Sequence, residues 1–346
     1  MEFLDQIFGL VSDFANPKKR VFAGYLGISI LIAFLWLVVF RKTSVRKAIK
    51  RIFDPKVFFS GSAFADYKIF LINRVFTGFI SPLLLTQVAI ATFVYMTLVR
   101  SEIIPWGAME GVSKPIVIGL FSVAMFVIDD FTKYLMHRWM HKWPILWPIH
   151  KVHHAAETMT PITVYRVHPL EGVLYATRST IAQGSVISLF YYLFGDKVDL
   201  YTVVGVNVLT FVFHVTGSNL RHSHIDIRYP KWIEHIFISP AQHQIHHSVA
   251  EEHYDKNFGA AFAIWDWLFG SLHVSEGEQD LQYGLTEAEG HSATDLRTIY
   301  FAPLKEIYGI CARGAMTLKS LLRGVGLRLK WSRVRDDLAG QGEQET

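Results

Sequence analysis

A single cysteine, Cys311, occurs among the 346 residues, which excludes an intrachain disulfide and any zinc or iron–sulfur site built on several thiolates. Read plainly, it is an inert small residue of the C-terminal region. Charge is also scarce: 18% of the residues are charged, against about 25% in a soluble domain. With 51% hydrophobic residues and a mean hydropathy of +0.26, that deficit points to lipid rather than to a large soluble core. No linker rich in Pro, Ser or Gly interrupts the chain and no internal repeat is visible, so one integral unit is expected. The fingerprint G-x-G-x-x-G is missing, and so is the H-E-x-x-H of zinc proteases. Glu2 and Asp5 stand where a secretory signal carries basic residues, so no cleaved signal is expected. The net charge of +4 is modest, and a nucleic-acid partner is not expected.

Long apolar runs are what the chain does have. Residues 21–40, VFAGYLGISILIAFLWLVVF, are uncharged over the length a helix needs to cross a bilayer. A second span is expected from about 75 to 99, kinked at Pro82. A third begins after Pro115 and reaches about Met136, carrying Asp129 and Asp130 in its last turns. Burying an aspartate at mid-bilayer costs roughly 2.5–3.5 kcal/mol, so these two are expected at the membrane edge or facing other polar groups. Residues 173–194 and 200–216 read as two less uniform spans joined by GDKVD, or as a pair of partly buried helices. The basic residues Arg41, Lys42, Arg46, Lys47, Lys50, Arg51, Lys56 and Lys68 place the first connection in the cytoplasm by the positive-inside rule. The segment 296–335 alternates apolar and basic residues and suits an anionic leaflet or a solvated face, and the final residues read as a disordered tail.

Three histidine clusters stand beside these runs: His137 and His141 in HRWMH, His150, His153 and His154 in HKVHH, and His243, His246 and His247 in HQIHH. Side chains three and four apart on a helix share a face, so each cluster can aim imidazoles at one point. The first ends the third span. Pro144 and Pro148 then break the chain, and a proline in the first helical turn places the second cluster on a new helix. Before the third, Ser239, Pro240 and Gln242 spell an N-cap, a first-turn proline and a capping box. His222 is a further candidate, with His168, His214 and His224 less certain. Eight clustered imidazoles suffice for two ions of zinc, copper, iron or nickel and disfavour magnesium and calcium. Asp130, Glu157, Glu171 and Asp255 are nearby carboxylates. A zinc-dependent membrane hydrolase is permitted by the histidines alone, whereas a metal transporter or sensor wants donors inside the spans.

The set HRWMH, HKVHH, RVHPLE, HQIHHS, DKNFG and WDWLFG, over about residues 125–272, resembles the fatty acid hydroxylase / sterol desaturase superfamily. That resemblance implies an all-α integral membrane protein, a bundle of about four to five transmembrane helices with a cytoplasmic helical cap. It implies a di-iron centre on the eight clustered histidines, with His222 as a further ligand and Asp130 as a supporting residue. The implied activity is O₂-dependent hydroxylation or desaturation of a lipid C–H bond, with the lipid drawn from the bilayer. Electrons are expected from a separate electron-transfer protein or reductant, because no cofactor domain is apparent. A sterol desaturase or sterol oxidase proper is the alternative. NLRHSH stands where sterol-processing relatives often have histidine–glycine–tyrosine, which leaves fatty acyl chains, alkyl ether lipids and aminolipids open. On this reading 1–114 is an N-terminal membrane region, 115–275 a hydroxylase-like catalytic domain, and 276–346 a basic amphipathic region and tail. The metal site is expected on the cytoplasmic side of a bacterial inner membrane, or of the endoplasmic reticulum in a eukaryote.

Overall fold

Residues 13–314 of the computed structural model are described, except 18, 82, 83, 85, 199–208, 210, 211, 214–217, 278, 279 and 287–293. The regular elements among the described residues are all helices, with no strand and only isolated bridges between Phe237 and Phe262 and between Ser248 and Tyr283. Helix α1 (Ala23–Leu35) runs on through a π-helical turn, Trp36–Phe40. Its 18 residues have a mean hydropathy of 2.4. In both α1 and the long helix Lys114–Lys142, only 22% of the most apolar window is buried. A core helix of a soluble protein hides its apolar surface, whereas these two turn it outward, as membrane-crossing helices do.

After α1 the chain reverses at Lys42, whose φ is +51°. The basic segment that follows forms α2 (Val45–Ile52). Ala48 and Ile52 pack on Ala33, Leu37 and Leu220, while Arg46, Lys47, Lys50 and Arg51 face outward. The expected second span over 75–99 is not one helix. Helix α3 (Gly61–Ile80) ends before Pro82, and α4 (Gln87–Ser101) begins at an N-cap, Thr86, whose hydroxyl accepts from the Ala89 amide. Pro82 lacks an amide hydrogen to continue the ladder, and a threonine cap offers a fresh start, so the stretch divides rather than kinks.

Helix α5 (Lys114–Lys142) and α4 both lie along α7 (Pro169–Phe194). Gly184 permits the α4 crossing, since a Cβ there would stand 3.0 Å from the Gln87 carbonyl oxygen. The polar residues in these helices are paired: Asp129 accepts from Lys133 at 2.7 Å and from Arg178 at 3.1 Å. Between α5 and α7 sits α6 (Trp147–His154), started by Pro148 as expected. Short helices α8 (Lys231–Glu234), α9 (Pro240–His246) and α10 (Ile264–Leu268) follow. Helical residues 296–314, α11, pack Ile299 on Ile69 of α3 and Val152 of α6. Most of the expected fifth span and residues 315–346 lie outside the described residues.

Candidate metal centre

The first two ligand-bearing helices are ordered by different means. α5 is long and apolar before it reaches His137 and His141, and α6 is opened by a proline. α9 is short, and its start is held by the capping box read from the sequence. The Ser239 hydroxyl accepts from the Gln242 amide, the Gln242 side chain accepts from the Ser239 amide, and Pro240 occupies the first turn. A cap of this kind satisfies amides that a seven-residue helix would otherwise leave open.

These elements converge on two groups of imidazoles. His137, His141, His150, His154 and His246 form one, and His153, His222, His243 and His247 the other; in each, the ligand-type atoms lie within 4.8 Å of one another. Helical spacing divides the boxes between them. His150 and His154, four apart, share the first group while His153 turns to the second. His243 and His247 share the second while His246 turns to the first. The groups adjoin, with the rings of His154 and His247 stacked at 4.5 Å between centroids.

Outer hydrogen bonds orient several rings. Nδ1–H of His137 donates to the Phe258 carbonyl at 2.7 Å, that of His246 to Lys256 at 2.7 Å and that of His153 to Arg166 at 3.2 Å. His150 donates to the buried Glu171 carboxylate at 2.9 Å. Such bonds select the tautomer whose bare Nε2 faces inward. The Nε2 atoms of His141, His150, His154 and His246 and both ring nitrogens of His247 are buried without a hydrogen-bond partner. Nε2 of His222 lies 3.0 Å from the Nε2 atoms of both His153 and His243. Burying so many unpaired nitrogens is costly, and protonating them would set cations against one another. A cation in each group resolves both problems, so the residues fit two metal ions. An all-imidazole set suits iron, zinc, copper or nickel rather than magnesium or calcium.

Comparison with known proteins finds relatives over the histidine-bearing segment. A family model described as fatty acid hydroxylase matches residues 122–271. Over this segment the chain is similar to the fatty acid hydroxylase / sterol desaturase superfamily. The chain is 27% identical over 189 residues to lathosterol oxidase of Homo sapiens, covering 54% of each chain. It is 29% identical over 160 residues to the ornithine lipid hydroxylase OlsE of Rhizobium tropici, covering 46% of this chain and 44% of that one. To alkylglycerol monooxygenase of Caenorhabditis elegans it is 24% identical over 163 residues, 46% of this chain and 28% of the relative. It thus spans about half the length of the lathosterol oxidases it matches. No solved structure matches.

The matched segment brings together the eight box histidines and His222, and leaves other candidates apart. His168 caps α7, Nδ1 accepting from the Leu170 amide and Nε2 donating to the Tyr300 carbonyl. It lies in neither group because its cap aims it along α7. His224 turns to α2, where Nε2 reaches the Arg51 carbonyl at 2.5 Å. His214 lies outside the described residues. Of the carboxylates named from the sequence, Glu171 bonds a box histidine; Glu157 is exposed, and Asp255 pairs with Lys142 at 2.6 Å.

Asp130 does not face the histidines. It accepts from the amides of Ala261 and Phe262 at 2.8 and 3.1 Å and from Trp265 Nε1 at 3.0 Å, tying α5 to the loop that carries Phe258. Asp266, on α10, holds the same loop from the other side, accepting from the Phe258 and Gly259 amides and the Ser271 hydroxyl. Burial pushes its carboxyl up to about 6. Gly259 is required there, because a Cβ would stand 2.5 Å from the Phe262 carbonyl oxygen. Through these contacts DKNFG and WDWLFG fix the carbonyls that orient His137 and His246. Asp130→Asn sets an NH₂ against N–H donors. Because Asp130 acts through the loop and not on a ring, the expected loss of metal affinity or activity is at or below the low end of the roughly 10–100-fold that removing a group bonded directly to a ligand costs; wild-type metal content and turnover would remove this role.

A buried ion pair beside the second group is marked in the sequence at only one of its two residues. Arg166 Nη1 donates to Asp66 at 2.8 Å and Nε to the Val152 carbonyl at 2.9 Å, while Thr163 donates to Asp66 at 2.6 Å. Arg166 stands in RVHPLE, but its partner lies 100 positions away and no local signal points to it.

Burial lowers the pKa of His153 to about 3 and of His246 to about 4. Both fall below the unfolded value of 6.5, so as pH falls through 6.5 the unfolded chain takes up protons that the fold refuses, and stability drops. Each contributes a loss of roughly 1–2 kcal/mol by pH 5. Metal-depleted protein is therefore expected to unfold at lower temperature at pH 5 than at pH 7.5; a flat midpoint across that range would mean these rings are solvated.

Proposed function

We propose that this protein is a membrane-bound di-iron oxygenase that hydroxylates or desaturates a lipid C–H bond. One observation carries the reading: two adjoining all-histidine groups, the second wholly buried and the first buried at His150, His154 and His246, each with inward nitrogens lacking partners, at the end of an apolar helix of membrane length. His137, His141, His150, His154 and His246 would hold one ion, and His153, His222, His243 and His247 the other. When bound, redox-active iron supplies the O₂ activation that no side-chain acid or base can provide against an unreactive C–H bond. The protein's own groups orient and shield. Glu171 and the carbonyls of Phe258, Lys256 and Arg166 hold the rings, and packing keeps bulk water from the inner nitrogens.

Two cavities suit the division of labour between lipid and water. One of about 340 Å³ is lined by His141, His154, His246, His247 and Asp255 and reaches ligands of both groups. The other, about 370 Å³, lies beside α1 and is bordered by Ile30, Ala33, Ile52, Phe58, Leu220 and Ile225. Its apolar wall fits an alkyl chain arriving from the bilayer. The named activities of the relatives, on a sterol, an ornithine lipid and an alkylglycerol, support a lipid as substrate class.

In this reading four or five spans cross the membrane, with 61–101 forming a broken crossing. The basic α2 marks the cytoplasmic side, and the histidines sit there under a helical cap, reached by a separate electron donor. Metal analysis of anaerobically purified protein, with turnover assayed with and without O₂, is the deciding experiment. The expected result is about two irons per chain and O₂-dependent product. Active protein containing only zinc and turning over without O₂ would establish the hydrolase alternative instead. Product carrying one added oxygen identifies hydroxylation, and product lacking two hydrogens identifies desaturation.

A further inference from the structure

The segment that positions the third histidine box ends in an exposed apolar surface. Trp267 is 58% exposed, Leu268 61%, Phe269 48% and Phe237 45%. These side chains belong to α10 and the residues beside α8 and α10, and the Phe237 and Phe262 rings stack at 5.4 Å. A soluble surface rarely gathers so many large apolar groups without a partner to cover them.

The position of this surface along α5 names the partner. Phe262 packs on Phe126 at 5.6 Å between ring centroids, Trp265 on Phe131 at 4.8 Å and Phe269 on Tyr134 at 5.6 Å. At 1.5 Å per residue, Phe126 and Phe131 stand about 18 and 26 Å along α5 from Lys114. A hydrocarbon core is about 30 Å thick, so these levels reach from inside it to its edge. Ile128, one turn before Phe131, is 39% exposed and continues the apolar flank of α5 toward α10. Tryptophan at such a level is the residue favoured where acyl chains meet headgroups.

We infer that the surface formed by Phe237, Trp267, Leu268 and Phe269 is immersed in the membrane leaflet on the side of the histidine groups. The inference rests on α5 crossing the bilayer. It makes α10 a shallow lipid-inserted element rather than part of a solvated cap. Its inner face presents Asp266 to the Phe258 loop that orients His137, and its outer face lies in lipid. The leaflet then reaches the structural support of the metal groups without passing through water.

The test uses the full chain in lipid nanodiscs, with Cys311→Ser removing the single native cysteine. Nitroxide labels at Leu268→Cys and Trp267→Cys are compared with Leu120→Cys on the outer face of α5 and with the exposed Glu252→Cys. Collisions with O₂, which partitions into lipid, and with a water-soluble nickel chelate report each environment. At Leu268 and Trp267 the ratio of O₂ to nickel collisions is expected to follow Leu120 and to reverse relative to Glu252. Nickel-dominated collisions at both patch sites with oxygen-dominated collisions at Leu120 would overturn this inference and leave the α5 span intact. Nickel-dominated collisions at Leu120 as well would overturn the span itself. Low collision rates with both reagents and spin–spin broadening between chains would assign the patch to a second copy and also overturn it.

Discussion

Alanine at His154 is expected to empty the first histidine group, and alanine at His243 the second, each variant losing about one of two bound irons and all measurable turnover. His154 contributes a buried Nε2 without a hydrogen-bond partner, and His243 stands 3.0 Å from His222 within the second group. Each offers a ligand atom to its own group rather than orienting another ligand. The loss should therefore exceed the roughly 10–100-fold that removal of an orienting residue costs. His168→Gln is the comparison, because His168 caps α7 and belongs to neither group. It should keep both irons and most activity. Iron content per chain, measured with turnover on the same samples, checks the assignment. Wild-type iron in His154→Ala or His243→Ala would refute the grouping, and iron loss in His168→Gln would show that content reports folding rather than ligation.

The second large effect lies away from the metal. Asp66→Ala removes the carboxylate facing Arg166, and both residues have no side-chain exposure. Breaking a buried ion pair from one side costs about 3–5 kcal/mol, because the remaining charge stays in a poorly solvating site. For a protein of this size that corresponds to a fall of roughly 4–7 °C in unfolding midpoint. The Arg166 carbonyl accepts from His153 Nδ1–H, so displacing Arg166 should also weaken the second metal group. Thermal unfolding in nanodiscs, followed with iron content, reads both consequences. A midpoint within about 1 °C of wild type would show that water or another group already serves Arg166.

Local signals in the chain carry far. The proline before HKVHH and the capping box before HQIHH place their helices because each acts within one turn, on amides that need a partner or cannot offer one. The break between α3 and α4 is only half legible. Pro82 reads as a kink in a continuous span, but a kink and a stop differ by whether a new cap follows, and Thr86 provides one. Asp130 is visible as a costly charge in an apolar helix without showing its partners, since Ala261, Phe262 and Trp265 lie more than 130 positions on.

The sequence by itself determined that this chain carries membrane-length apolar helices and eight clustered imidazoles on short helical repeats. Composition and i, i+4 spacing are local properties, and they suffice for both. Only the tertiary structure decided how the nine histidines divide into groups of five and four. Which face of α6 meets which face of α9 depends on how the helices cross. That crossing is set by distant contacts: the Arg166–Asp66 pair on one side and the Asp130 and Asp266 grip on the Phe258 loop on the other. Those partners lie far apart in the chain, and only folding brings them to bear on the same rings.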